Sequence, residues 1–208
     1  MTFIKICGIT NLEDALAAVD AGADALGFNF YPASSRYIRP QNAREIIDQL
    51  PAHVLTVGVF VNEKTPASLR KIANEAGVAA LQLHGDESPD YCHSLADQYV
   101  IKALAVGNNF AVHQTTDYDV RAIMLDAKVS NLRGGTGRVI DWSIAQKVAT
   151  LIPRLFLAGG LSPENVKEAI DAVNPYAVDA CSALEKAPGQ KDHVRMNAFI
   201  KSVRAVKP

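Results

Sequence analysis

Eight short apolar segments rich in β-branched residues recur along the 208-residue chain, each followed by a stretch long enough for a helix. They span 3–7, 25–30, 54–60, 79–83, 100–106, 122–125, 155–158 and 177–180. Most are continuous apolar runs without strict alternation, as expected of parallel strands covered on both faces. Strand alternating with helix throughout implies right-handed crossovers, and so either an open doubly wound sheet or a closed barrel. Eight units favour closure, and 208 residues is the short end for a complete barrel. The expected class is α/β, a single (βα)8 TIM barrel over residues 1–208. No Gly/Ser-rich linker or charge block marks a second domain.

Helix boundaries carry their own signals. Thr65-Pro66, Ser88-Pro89 and Ser162-Pro163 each place a capping hydroxyl before a proline at the first helical position. Gly22 and Gly77 stand where a left-handed cap ends a helix before the next strand. A last helix over about 192–206 closes the ring.

Composition removes several classes of function. With 21 basic and 22 acidic residues the formal net charge is -1, so no global field draws the chain to nucleic acid or to an anionic membrane. The longest apolar runs fall short of a membrane span, and the start MTFIKICGIT lacks a signal-peptide layout, so the expected location is cytoplasmic. Three cysteines, Cys7, Cys92 and Cys181, show no CxxC spacing and read as free thiols. No second histidine or carboxylate sits at metal spacing from His84, so no metal is expected.

In a barrel, chemistry gathers at the C-terminal ends of the strands. Those ends carry Cys7-Gly8, Ser35-Arg36-Tyr37, Gln82-Leu83-His84, Asp126, Gly159-Gly160, and Asp179 with Ser182-Ala183. Cys7 is either a small buried hydrophobe or a mouth-facing thiol whose pKa a nearby cation lowers towards thiolate. Asp126 either caps a turn or faces Cys7 across the barrel, as an acid and a base flanking one substrate must in a proton shift. Gly159-Gly160, with Ser182 and the amide of Ala183, suits a phosphate cup as well as a plain strand-to-helix turn. Arg36 is a solvated charge unless it overhangs the mouth, where its fork matches a carboxylate. Gly134-Gly135-Thr136-Gly137 lacks the spacing of a P-loop and reads as a lid over the acid or as a surface loop.

KICGIT at 5–10, SRYI at 35–38, QLHG at 82–85, LDA at 125–127, GGTG at 134–137, LAGGLSPENV at 157–166 and VDACSALE at 178–185 together resemble the phosphoribosylanthranilate isomerase family over nearly the whole chain. The resemblance implies an Amadori rearrangement of N-(5-phosphoribosyl)anthranilate in tryptophan biosynthesis, with no cofactor. It also implies the roles: Asp126 the general acid, Cys7 the general base, and Arg36 the partner of the anthranilate carboxylate. Asp179 would lie near the sugar hydroxyls, Gly159, Gly160, Ser182 and Ala183 on the phosphate loops, and Gln82 and His84 would be substrate-binding. The expected partner is the small-molecule substrate, with no nucleic acid and no membrane, in a monomer or a homodimer.

Two positions depart from the pattern: Ala183 replaces a usual glycine, which would restrict φ or crowd a phosphate oxygen, and Ser35 replaces a frequent proline. Asp126 would need a raised pKa and Cys7 a lowered one. The alternatives are another phosphosugar barrel, such as a ribulose-phosphate epimerase or an indoleglycerol-phosphate synthase, and a non-catalytic phosphometabolite-binding barrel.

Overall fold

The structure is a computed structural model that describes residues 1–107, 109–127 and 141–206; the GGTG segment at 134–137 lies outside the described residues. Eight parallel strands close into a barrel in sequential order, β1 (Phe3–Cys7), β2 (Ala25–Asn29), β3 (Leu55–Phe60), β4 (Ala80–Leu83), β5 (Tyr99–Val106), β6 (Ala122–Ala127), β7 (Leu155–Leu157) and β8 (Ala177–Ala180). The pairing of β8 with β1, in register from Phe3 opposite Ala177 to Ile6 opposite Ala180, seals it. Each expected strand is present, with ends displaced by a residue or two.

The surrounding helices are α1 (Leu12–Ala21), α2 (Pro40–Ile47), α3 (Pro66–Ala76), α4 (Pro89–His93), α5 (Trp142–Ala149), α6 (Val166–Val173) and α7 (His193–Arg204). Between β5 and β6 the described segment contains a 3-10 turn, Val112–Asp117. Thr65 caps α3 by accepting from the Ser68 amide, Ser88 caps α4, and Gly22 and Gly77 end α1 and α3 at φ of 102° and 74°. The expectation at Ser162-Pro163 holds for the hydroxyl, which accepts from the Glu164 amide at 3.3 Å, and is corrected for the helix start. Residues 163–165 form a turn and α6 begins at Val166, because the Asn165 side chain folds back to accept from the Ser162 amide and donate to the Gly160 carbonyl. A hairpin of β9 (Glu185–Ala187) and β10 (Gln190–Lys191), which the sequence reading did not anticipate, follows β8.

The continuous apolar runs have a two-sided cause. Ile4, Ile6, Leu26, Phe28, Leu81, Leu125 and Val178 point outward into a core shared with helix residues such as Leu69, Val148, Ile170 and Phe199. Ala25, Val57, Ala80, Ile101, Met124, Phe156 and Ala177 fill the barrel interior. Phe199 on α7 is fully buried, and truncating it to alanine would cost about 3–5 kcal/mol.

Successive inward positions on a strand are two residues apart. Followed towards the strand C-termini they turn from apolar to polar: Phe3, Lys5, Cys7 on β1; Ala80, Gln82, His84 through β4; Met124, Asp126 on β6; and Ala177, Asp179, Cys181 through β8. One end of the barrel is therefore packed with apolar groups and the other lined with chemistry.

Candidate active site

A cavity at the polar rim is lined by Asp126, Ala158, Gly159, Gly160, Leu161, Asp179, Cys181, Ser182 and Ala183. It brings together six of the residues singled out in the sequence. Cys7, Arg36, Gln82 and His84 are not among its lining residues and join it through neighbours.

Asp126 sits at the end of β6 with its side chain 14% exposed. Its Oδ1 accepts from the Ala127 amide at 2.8 Å, and its Oδ2 lies 3.1 Å from His84 Nε2. The other ring nitrogen of His84 is 2.7 Å from Gln82 Nε2. With the Gln82 amide donating to Nδ1, the histidine proton is on Nε2 and points at Asp126 as a carboxylate. The buried Gln82 Oε1 then has no partner among the described residues. Half a turn of the amide lets Oε1 accept from Nδ1–H instead, and Nε2 becomes an acceptor for a protonated Asp126. The two amide orientations thus match a carboxylate and a carboxylic acid at Asp126.

Gly159 sets how close the next loop comes. At φ 82°, a Cβ here would lie 2.6 Å from the Ala127 amide nitrogen and 3.0 Å from Asp126 Oδ1, so the loop after β7 can lie against Asp126 only without a side chain. Gly160 follows at φ 70° and is held by Asn165. Ser182 and Ala183 begin a 3-10 turn, Ser182–Leu184, after β8. Ala183 does not adopt a positive φ, so the expected backbone restriction is absent, and the residue lines the cavity.

Cys7 is buried at the end of β1. A hydrogen bond from Cys181 holds its thiol well below the ordinary range, and Lys5 and Lys191 act in the same direction against the effect of burial. Lys5 is fully buried and ion-paired to Asp179 at 2.7 Å. Burial opposes its charge, but Asp179 and Cys7 outweigh that, and the ammonium is held above its usual range. Asp179 is pushed up to about 6, chiefly by burial and then by the negative neighbours Cys7 and Asp126, although Lys5 pulls the other way. Both directions are consistent, because one cation serves several anions.

Arg36 reaches over the rim to a carboxylate belonging to the protein itself. Its Nε and Nη2 meet Glu185 at 2.9 and 2.7 Å, and this partner holds the guanidinium above its usual range. Gly8, at φ 77°, leaves the room: a Cβ would stand 2.8 Å from Arg36 Cδ and 2.9 Å from Cys181 Sγ. Lys191 Nζ lies 3.1 Å from Glu185 Oε1 and 3.9 Å from Cys181 Sγ.

Four participants were given no role in the site from sequence. Lys5 and Cys181 were findable, since a period of two places them on the same faces as Cys7 and Asp179. Glu185 and Lys191 sit on the hairpin, where no apolar pattern points to them. Among the described residues no group of three or more His, Cys, Asp or Glu could hold a metal, and no helix is long and apolar enough to cross a membrane.

Residues 4–202 match the family model described as N-(5'phosphoribosyl)anthranilate (PRA) isomerase. A relative from Trichlorobacter lovleyi named N-(5'-phosphoribosyl)anthranilate isomerase is 47% identical over 204 residues, 98% of each chain. The crystal structure of phosphoribosyl anthranilate isomerase from Thermotoga maritima superposes with a TM-score of 0.92 at 45% identity, covering 99% of this chain and 100% of that one. A structure of a phosphoribosyl anthranilate isomerase in complex with reduced 1-(o-carboxyphenylamino)-1-deoxyribulose 5-phosphate gives a TM-score of 0.89 at 44% identity, with the same coverage. The chain belongs to the N-(5'-phosphoribosyl)anthranilate isomerase family.

Proposed function

We propose that residues 1–208 form one catalytic domain that converts N-(5-phosphoribosyl)anthranilate into 1-(2-carboxyphenylamino)-1-deoxyribulose 5-phosphate in tryptophan biosynthesis. The observation that carries this reading is an acid and a base on opposite sides of one rim. Asp126 stands on β6 beside His84, and Cys7 stands on β1 beside Lys5. Family membership narrows the sugar phosphate to phosphoribosylanthranilate.

The steps follow from those groups. Asp126 donates a proton to the furanose ring oxygen as the C1–O bond breaks, and the anthranilate nitrogen lone pair forms the C1=N bond of a Schiff base. Cys7 as thiolate then removes the C2 proton, and the electrons of that bond give an enolamine that tautomerises to the ketone. Gly159, Gly160, Ser182 and Ala183 hold the phosphate, with Asp179 near the sugar hydroxyls. Arg36, anchored by Glu185, meets the anthranilate carboxylate with the rest of its fork. The protein partner is the small-molecule substrate, and the reaction takes place in the cytoplasm.

Growth tests the reading. Expressed in a host lacking its own isomerase, the chain restores growth without tryptophan; failure by a folded, soluble chain would contradict it.

A further inference from the structure

The reaction above uses Cys7 and leaves Cys181 without a task. Ile6 pairs with Ala180 across β1 and β8, so Cys7 and Cys181 occupy the next positions on adjacent strands. The absent side chain of Gly8 makes room for the Cys181 sulfur, whose distance to the position of a Cβ there would be 2.9 Å. We propose that Cys181 is a positioning residue that donates its S–H to the Cys7 sulfur, and that the two share one proton held on Cys181.

Charge decides which sulfur keeps the proton. Cys7 has the fully buried Lys5 ammonium as its near neighbour, so an anion there is compensated. Glu185 Oε1, 3.8 Å from Cys181 Sγ, is a second and distant acceptor for the same S–H, so it too keeps the proton on Cys181, and a thiolate at that place would oppose this carboxylate even with Lys191 3.9 Å away. The charged groups in reach are Lys5, Lys191 and Arg36 against Asp179 and Glu185, with Asp126 acting on Asp179 from β6. A thiolate on Cys7 is compensated by the ammonium beside it, whereas a second thiolate on Cys181 would oppose both Glu185 and the first. The directions agree, since Cys181 hydrogen bonding lowers Cys7 while the same contact, with burial, raises Cys181.

The inference rests on Cys7 being the base, but its test needs no turnover, so the two readings fail separately. Iodoacetamide labelling of the intact protein across pH, resolved by peptide mass spectrometry, reads each thiol directly. Cys7 is the more buried of the two, so simple access favours Cys181. The expected result at neutral pH is Cys7 labelled ahead of Cys181. In Cys181→Ala the pH midpoint for Cys7 labelling rises by about one unit or more, and in Cys181→Ser, which keeps a donor, it returns towards wild type. Cys181 labelled first in the wild type, or an unmoved Cys7 midpoint in Cys181→Ala, would overturn the proposal.

Discussion

His84 Nε2 lies 3.1 Å from Asp126 Oδ2 while its Nδ1 lies 2.7 Å from Gln82, so both ring nitrogens are engaged inside the protein. A histidine so placed has no nitrogen left for substrate, and its effect passes through Asp126. His84→Ala should therefore lower kcat by about one to two orders of magnitude, the worth of a hydrogen bond to a charged group at roughly 1.5–3 kcal/mol, with KM little changed. Steady-state kinetics decide it: a raised KM with kcat intact would return His84 to the substrate.

Lys5 and Asp179 form an ion pair inside the barrel, and one ammonium there compensates several anions. Lys5→Met leaves Asp179 buried beside Cys7 and Asp126 without a cation. The expected cost is about 3–5 kcal/mol, or a Tm lower by on the order of 10 °C, seen by calorimetry.

The same carboxyl sets a pH dependence. Asp179 is pushed up to about 6 in the fold, so the folded protein binds its proton more tightly than the unfolded chain. That contribution to stability is fully present below the ordinary carboxylate range and is lost as pH rises through about 6. Urea midpoints at several pH values should show the wild type losing stability relative to Asp179→Asn across that window. Parallel curves would refute the assignment.

Arg36 gives two guanidinium nitrogens to Glu185, which fixes the plane of the fork at the rim. Arg36→Lys keeps the charge and loses the planar geometry. KM should rise by about tenfold, equivalent to roughly 1.4 kcal/mol, while kcat changes far less. Equal KM values would show that the fork does not meet substrate.

Much of the architecture was legible because parallel strands packed on both faces leave long apolar runs, and a barrel needs eight of them. Cap chemistry was legible where it is local, as at Thr65, Ser88 and the Ser162 hydroxyl, but at Ser162-Pro163 it misplaced the helix start. There a longer reach by Asn165 postpones the helix to Val166. Cys7 and Asp126 could be located from strand ends, but their roles came from resemblance. Part of what surrounds Cys7 was hidden, since Lys191 acts on it, and Glu185 on its neighbour Cys181, from a hairpin whose position depends on the closed barrel. Glu185 and Lys191 pair across that hairpin, yet nothing in their spacing points back to residue 7.

The central claim is that this rim moves protons between Asp126, substrate and Cys7. Phosphoribosylanthranilate generated in situ, with loss of anthranilate-type fluorescence followed for the wild type, Cys7→Ala and Asp126→Asn, tests it most directly. The wild type should turn substrate over, and each variant should lose about 10²–10⁴ in kcat while melting close to the wild type. A folded wild type without turnover, or either variant with wild-type kcat, would contradict the account.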